Sequence, residues 1–336
     1  MTHELKKIVE AYLIAKALKM KTVLATVVAL EGSSYRRPGV RMLIRKDDKA
    51  IGAVSGGCVE KEVIRQAQTV FNDGVSKMMT YDGRYRLGCE GLLYILIEPF
   101  EPNKIFLNVF QDNLKKRRPI QVSCYYSKAE GYNKSFGSVF SIGQNSVPIR
   151  ESFELDKNLM VFNQEMEPCF KLLIIGAEHD AVQLSSYATL TGWDVTVVAA
   201  PSEEKTLVDF PGAQELLFMD SESLSLENID NQTAVLLMTH SYVKDLKYLF
   251  RIRNTRPSYL GILGPTKRRE KLLNELIERY PEIDDSFFDS IYGPSGLNIG
   301  AETAQEIGIA ILAEILAVVR KQEPIMLKHK SSPIHN

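Results

Sequence analysis

Phe170-Lys171-Leu172-Leu173-Ile174-Ile175 is a nearly unbroken apolar run, the pattern of a strand covered on both faces rather than one half-exposed to water. Gly176-Ala177-Glu178-His179-Asp180 follows, then an amphipathic stretch to Leu190 and a second apolar run, Trp193-Asp194-Val195-Thr196-Val197-Val198. The alternation recurs as a strand over 234–239, a helix over 243–254, a strand over 259–263 and helices over 265–279 and 302–319. Parallel strands need crossover connections, so a chain that keeps switching between these periods is driven toward an α/β, doubly wound parallel sheet.

In such a sheet ligands bind beyond the carboxyl ends of the strands, which makes Gly176, Thr239-His240-Ser241 and Gly264-Pro265 the candidate rim. A Rossmann-like dinucleotide site asks for three glycines after the first strand and an acid after the second. Gly176 fills the first position, but Glu178 stands at the second, where its charge opposes a diphosphate, and Ala199-Ala200-Pro201-Ser202 occupies the place of the acid. The fold fits, and ordinary NAD binding does not. His240 suits a general acid or a ligand-polarising group, with turn capping as the alternative. Glu302 and Glu306, one turn apart, suit a cation or a basic partner if they share a helical face, and simple solvation otherwise.

The preceding segment reads differently. Apolar residues at helical spacing predict an N-terminal helix over 4–20 that buries Leu5, Ile8, Val9, Tyr12, Leu13 and Ala17. Strands are predicted over 22–30, 40–45, 50–54, 78–81 and 92–97, with helices over 60–71 and 104–116. Further strands over 120–126, 137–142 and 158–163 read as an extension of that sheet. The expected organisation is an α+β domain over 1–167, a Rossmann-like domain over 168–323 and a polar tail over 324–336.

Within the first domain, Gly32 to Glu60 concentrates two glycine-bearing turns, four arginines and a thiol. Gly32, Ser33 and Ser34 offer close backbone approach and hydroxyl donors, and the guanidinium forks of Arg36, Arg37 and Arg41 match phosphate or carboxylate oxygens. Gly56, Gly57, Cys58 and Glu60 run from a strand into a helix, whose free first-turn amides favour an anion and, at Cys58, a thiolate. Cys89, before Gly91 and the next strand, is a second glycine-flanked thiol. Each feature taken singly is also what ordinary turns, buried thiols and solvated arginines look like. Their crowding points to an anion site.

Composition narrows the classes. With 41 basic against 42 acidic residues and a formal charge of −1, nothing pulls the chain as a whole toward nucleic acid or an anionic membrane. Cys58, Cys89, Cys124 and Cys169 are widely spaced, unlike a zinc ribbon or a secreted disulfide scaffold, and read as free thiols. Lysines interrupt the apolar residues of the N-terminus, so it lacks the core of a signal peptide, and a cytoplasmic location is expected.

Several ordered motifs resemble the XdhC/CoxI family, accessory proteins of xanthine dehydrogenase and related molybdenum hydroxylases. They are GSSYRRPGVRMLI and GAVSGGCVE in the first half, and AVLLMTHSYVKDLKYL, YLGILGPTKRREKL and GPSGLNIGAETAQEIGIAILAEILAV in the second. The resemblance implies a maturation factor, not itself a catalyst, that transiently binds the molybdenum cofactor as molybdopterin or its dinucleotide form. It also implies sulfuration with a cysteine desulfurase and delivery to the apo-dehydrogenase. The Gly32 and Gly56 loops, Gly91, Gly176 and His240 would contribute to cofactor binding, with Cys58 and Cys89 near the molybdenum. A homodimer through the apolar helix near the C-terminus is expected, with that face as intradomain core the alternative. The competing readings are an NAD(P)-dependent oxidoreductase using His240 and a structural subunit of the dehydrogenase. Glu90, where the family tends to carry glycine, and Glu178 with Ala199 depart from the family pattern.

Overall fold

A computed structural model describes residues 1–32, 34, 36–83, 91–143 and 145–331, and the chain forms two units, Met1–Pro168 and Cys169–Asn336. The first is organised on β1 (Thr22–Glu31), whose run Thr22–Val28 is buried throughout because both of its faces are covered. Val23, Ala25 and Val27 pack with Val59, Val63, Ala67 and Val70 of α2 (Cys58–Asp73). Leu24 and Val28 join a second core with Leu5, Ile8 and Tyr12 of α1 (Thr2–Ala17) and Phe106 and Phe110 of α3 (Lys104–Lys115).

β1 lies between β2 (Arg41–Arg45) and β5 (Leu92–Pro99) in an antiparallel sheet ordered β3-β2-β1-β5-β4-β7. Here β3 is Ala50–Gly52, β4 Lys77–Asp82 and β7 Gly131–Tyr132. The segments expected to extend this sheet form a separate one instead, ordered β10-β6-β8-β9, from β6 (Ile120–Tyr126), β8 (Gly137–Ile142), β9 (Asn145–Pro148) and β10 (Met160–Met166). Alternation within each strand is the same for either arrangement, so only packing separates them: Ile120, Val122, Phe140 and Ile142 pack into the core that covers one face of the first sheet. Leu13 and Ala17 are exposed and Ala15 takes their expected place in the core, because the helix meets the sheet along a narrower stripe than predicted.

The second unit is a parallel sheet ordered β13-β12-β11-β14-β15-β16, the doubly wound order that reverses direction beside its first strand. The strands are β11 (Lys171–Ile175), β12 (Asp194–Ala199), β13 (Glu215–Phe218), β14 (Thr233–Leu237), β15 (Tyr259–Ile262) and β16 (Ile291–Tyr292). α4 (His179–Leu190) and α8 (Ala304–Arg320) cover one face through Ala181, Leu184, Ile311 and Ile315. α5 (Tyr242–Ile252) and α6 (Thr266–Arg279) cover the other through Leu246, Leu249, Leu272 and Leu276. The short β13, β16 and α7 (Asp285–Asp289) carry too few residues to show a period in the sequence. The main apolar face of α8 is therefore intradomain core, leaving Ile309 and Leu316 outside. The tail is less polar than expected, with Ile325, Met326 and Leu327 all exposed. Among the described residues no helix is long and apolar enough to cross a membrane.

Candidate functional site

In the antiparallel first sheet the end of β1, the start of β2 and the end of β3 lie at one edge, as the pairs Thr26–Arg41 and Met42–Gly52 require. β4 ends and β5 begins there too, through Glu31–Leu92 and Asp82–Leu92. The Gly32 loop, the Gly56 loop and the β4–β5 connection consequently spring from the same sheet end. Gly83 donates to the buried Gly91 across the base of that connection at 3.0 Å. Cys89 and Ser33 lie outside the described residues.

Arg36 ties the first two loops together. Its Nη1 donates to the Ala53 carbonyl at 3.3 Å and lies 3.9 Å from a Glu4 carboxylate oxygen, so part of its charge is already engaged. The half-buried Ser34 hydroxyl stands 3.5 Å from the Arg36 amide, Gly32 takes the left-handed conformation (φ 81°), and Arg37 is exposed. Arg41, expected among the loop cations, turns inward and is only 6% exposed. Its Nη1 donates to Gly39 O at 2.8 Å and to Gln164 Oε1 at 2.7 Å, while Nε and Nη2 have no partner among the described residues. An arginine that starts a strand cannot be told in sequence as outward or inward facing, and nothing in the sequence marks Gln164 as its acceptor.

The second loop is shaped by Glu60. Its Oε1 accepts from the amides of Val54 (3.1 Å) and Ser55 (2.8 Å), folding the turn back over the helix it precedes. Glu60 thus acts on the loop backbone. Gly57 is the N-cap of α2 and has no side chain to satisfy first-turn amides, and a Cβ at Gly56 or Gly57 would meet nothing within 4 Å. Packing does not demand glycine at either position. The exposed thiol of Cys58 begins the helix beside this open space, whereas Cys124 and Cys169 are buried. This donor set fits an anionic group with a thiol-reactive or metal-bearing neighbour. Among the described residues no cluster of three or more His, Cys, Asp or Glu residues is arranged to hold a bare metal ion.

The second unit has its own cleft at the strand ends, ≈ 170 Å³, lined by Ile175, Gly176, Glu178, Val198, Glu203 and Lys244 among others. Gly176 (φ 137°) is required there, since a Cβ would stand 2.2 Å from the Met238 carbonyl oxygen. The acid missing directly after β12 arrives by a turn: the Glu203 amide donates to Ala200 O at 3.0 Å, returning that residue to the cleft. His240 lies outside this cleft, on a smaller neighbouring one with Gly264 and Arg268. It has a left-handed backbone (φ 54°), a half-exposed ring, and Nε2 3.5 Å from an Asp180 oxygen. Buried Asp245 fixes this turn, accepting from Thr239 Oγ1 at 2.6 Å and from Arg268 at 2.6 Å. The expected shared face of Glu302 and Glu306 is absent, because Glu302 precedes the helix and Glu306 closes a capping box with Thr303. Hydrogen bonds from the Glu302 and Thr303 amides hold the Glu306 carboxyl below the ordinary glutamate range.

The fold defines a two-domain protein in which an antiparallel α+β unit is joined in sequence to a Rossmann-type unit. Residues 15–82 match the XdhC and CoxI family, and residues 172–315 match the XdhC Rossmann domain. Between them these matches span well over half of the chain, which belongs to the XdhC and CoxI family. It is 29% identical to a probable xanthine dehydrogenase subunit of Bacillus subtilis (strain 168), covering 88% of this chain and 92% of that one. Against the molybdenum cofactor insertion chaperone PaoD of Escherichia coli (strain K12) it is 27% identical, covering 90% and 84% respectively. A crystal structure of a xanthine dehydrogenase from Bacillus halodurans superposes with a TM-score of 0.78 at 25% identity, over 97% of this chain and 98% of that one.

Proposed function

We propose that this chain is a molybdenum cofactor carrier that binds the cofactor transiently, supports its sulfuration with a cysteine desulfurase, and delivers it to the apo-form of a xanthine dehydrogenase or related hydroxylase. The observation that carries this reading is the exposed Cys58 thiol at a helix start without a side-chain cap, preceded by Gly56 and Gly57, where an added Cβ would meet open space. The names of the relatives, an insertion chaperone and a dehydrogenase component, favour the same reading.

The first-turn amides of α2 and the guanidinium groups of Arg36 and Arg37 would hold the phosphate of the pterin, as helix N-termini and guanidinium groups do for phosphates generally. Arg36 keeps the Gly32 loop against the Gly56 loop, and the Cys58 thiol stands at the rim where a sulfur-ligated metal would lie. When bound, the cofactor supplies the redox and sulfur chemistry, and the protein supplies grip and release. An open loop site suits release. Self-association through Ile309 and Leu316 of α8, and a reducing cytoplasm that keeps the thiols free, belong to the same proposal.

The test is metal and pterin analysis of the protein purified from cells that make the cofactor, followed by activation of apo-dehydrogenase. Cofactor is expected with the natural chain and at least about tenfold less with Cys58→Ala or Arg37→Ala, a loss of about 1.4 kcal/mol. Absence of pterin from the natural chain overturns the proposal. Permanent co-purification with mature dehydrogenase in fixed stoichiometry favours a structural subunit instead.

A further inference from the structure

The Rossmann-type unit has a cleft that the proposed cofactor site does not use. It lies where doubly wound sheets hold nucleotides, beyond the ends of β11 and β12 and beside the point at which strand order reverses between β11 and β14. Its floor is apolar, from Ile175 and Val198, and Tyr248 closes one side with its hydroxyl already bound to Met219 O at 2.8 Å. Two features of an ordinary dinucleotide site are altered in opposite senses. The ribose-binding acid, absent directly after β12, is restored by Glu203 through the Ala200–Glu203 turn. The phosphate position is reversed in charge, because Glu178 is the N-cap of α4 and lines the cleft where the helix start would otherwise receive a diphosphate.

From this combination we infer that the cleft binds a nucleoside whose 5′ end carries no phosphate, with Glu203 accepting the ribose hydroxyls and Glu178 excluding an anionic 5′ group. The charge of the lining supports it: Glu178, Glu203, Asp220 and Glu222 outnumber Lys244 and Lys247, and Lys247 is within 3.8 Å of Glu222. A neutral or cationic 5′ substituent meets Glu178 favourably, whereas each phosphate added there must be brought against a fixed carboxylate.

This inference is independent of the cofactor proposal and concerns different residues. The experiment is calorimetric titration of the full chain with adenosine, cytidine and guanosine, with the 5′-diphosphate of each, and with NAD⁺. At least one nucleoside is expected to bind, and its 5′-diphosphate to bind about tenfold or more weakly. Glu178→Gln is expected to narrow that gap by strengthening binding of the diphosphate. Glu203→Gln is expected to weaken the nucleoside about tenfold, and the 2′,3′-dideoxynucleoside to bind equally weakly to both chains. The far-ultraviolet spectrum of each variant establishes that it is folded. Binding of none of the three nucleosides at millimolar concentration, or tighter binding of the diphosphate or NAD⁺ than of the nucleoside, overturns the inference.

Discussion

Arg41 on β2 and Gln164 on β10 meet at 2.7 Å across the two sheets of the first unit, and the amide of Gln164 occupies the space that a side chain at Gly39 would need. A Cβ at Gly39, whose φ is 97°, would come within 2.2 Å of Gln164 Nε2. The Gly32 loop therefore re-enters its sheet under a clamp of one buried guanidinium, one amide and one glycine. Gln164→Ala removes one of the two oxygen acceptors of a buried guanidinium that already has two unpartnered nitrogens among the described residues. The expected cost is about 1–3 kcal/mol, read as a lower urea midpoint with an unchanged slope. Gln164→Glu keeps an acceptor and is expected to be milder.

Gly56 offers the converse test. A Cβ there touches nothing in the fold, and the residue does not have a left-handed backbone, so Gly56→Ala is expected to leave stability within about 0.5 kcal/mol of the parent. If the open space above the loop is ligand space, the same methyl lowers cofactor retention, measured as pterin per protein. Equal retention at equal stability argues against binding at this loop.

How much of this was readable in advance follows from periodicity. The continuous runs at Phe170–Ile175 and Thr22–Leu30 announced covered strands, and the alternation after Pro168 announced the parallel sheet. The crowding of Gly32 to Glu60 pointed to loops that the structure does bring to one sheet end. What could not be read depends on partners distant in the chain. Arg41 and Gln164 are 123 positions apart, so the inward turn of that arginine had no local signal. Glu203 escaped because an acid was sought directly after the strand, and a turn brings the residue four positions beyond it to the cleft. Glu306 looked like half of a carboxylate pair, although the Thr303-x-x-Glu306 spacing of a capping box was in the sequence.

Thiol accessibility separates the cysteines. Cys58 is exposed, while Cys124 and Cys169 are buried, and burial pushes the Cys124 thiol up, away from the reactive thiolate. Brief iodoacetamide treatment of the native protein, read by peptide mass spectrometry, is expected to modify Cys58 and to spare Cys124 and Cys169 until denaturant is added. Bound cofactor is expected to protect Cys58. Equal labelling with and without cofactor removes the thiol from the proposed site.

Glu98 supplies a test through pH. It is fully buried between the two sheets, with Oε1 accepting from Ser138 Oγ at 2.6 Å and Oε2 from the Ser138 amide at 2.9 Å. Burial raises its carboxyl above the ordinary glutamate range, and the Ser138 hydrogen bonds and the charges of Arg150 and Arg41 oppose that rise only in part. A folded-state value above the unfolded one means that the native protein holds this proton more tightly. The stabilisation linked to the proton is therefore complete below the unfolded value and is lost as pH rises through the folded value. Thermal midpoints should accordingly contain a component that falls as pH is raised from the ordinary glutamate range toward neutrality. Glu98→Gln cannot ionise, so the midpoint of the variant relative to the parent is expected to rise over that interval, whatever its offset at acid pH. A difference that instead falls as pH rises would mean that the two arginines hold Glu98 ionised, making the buried network an ion-paired one and reversing the sign of its linkage.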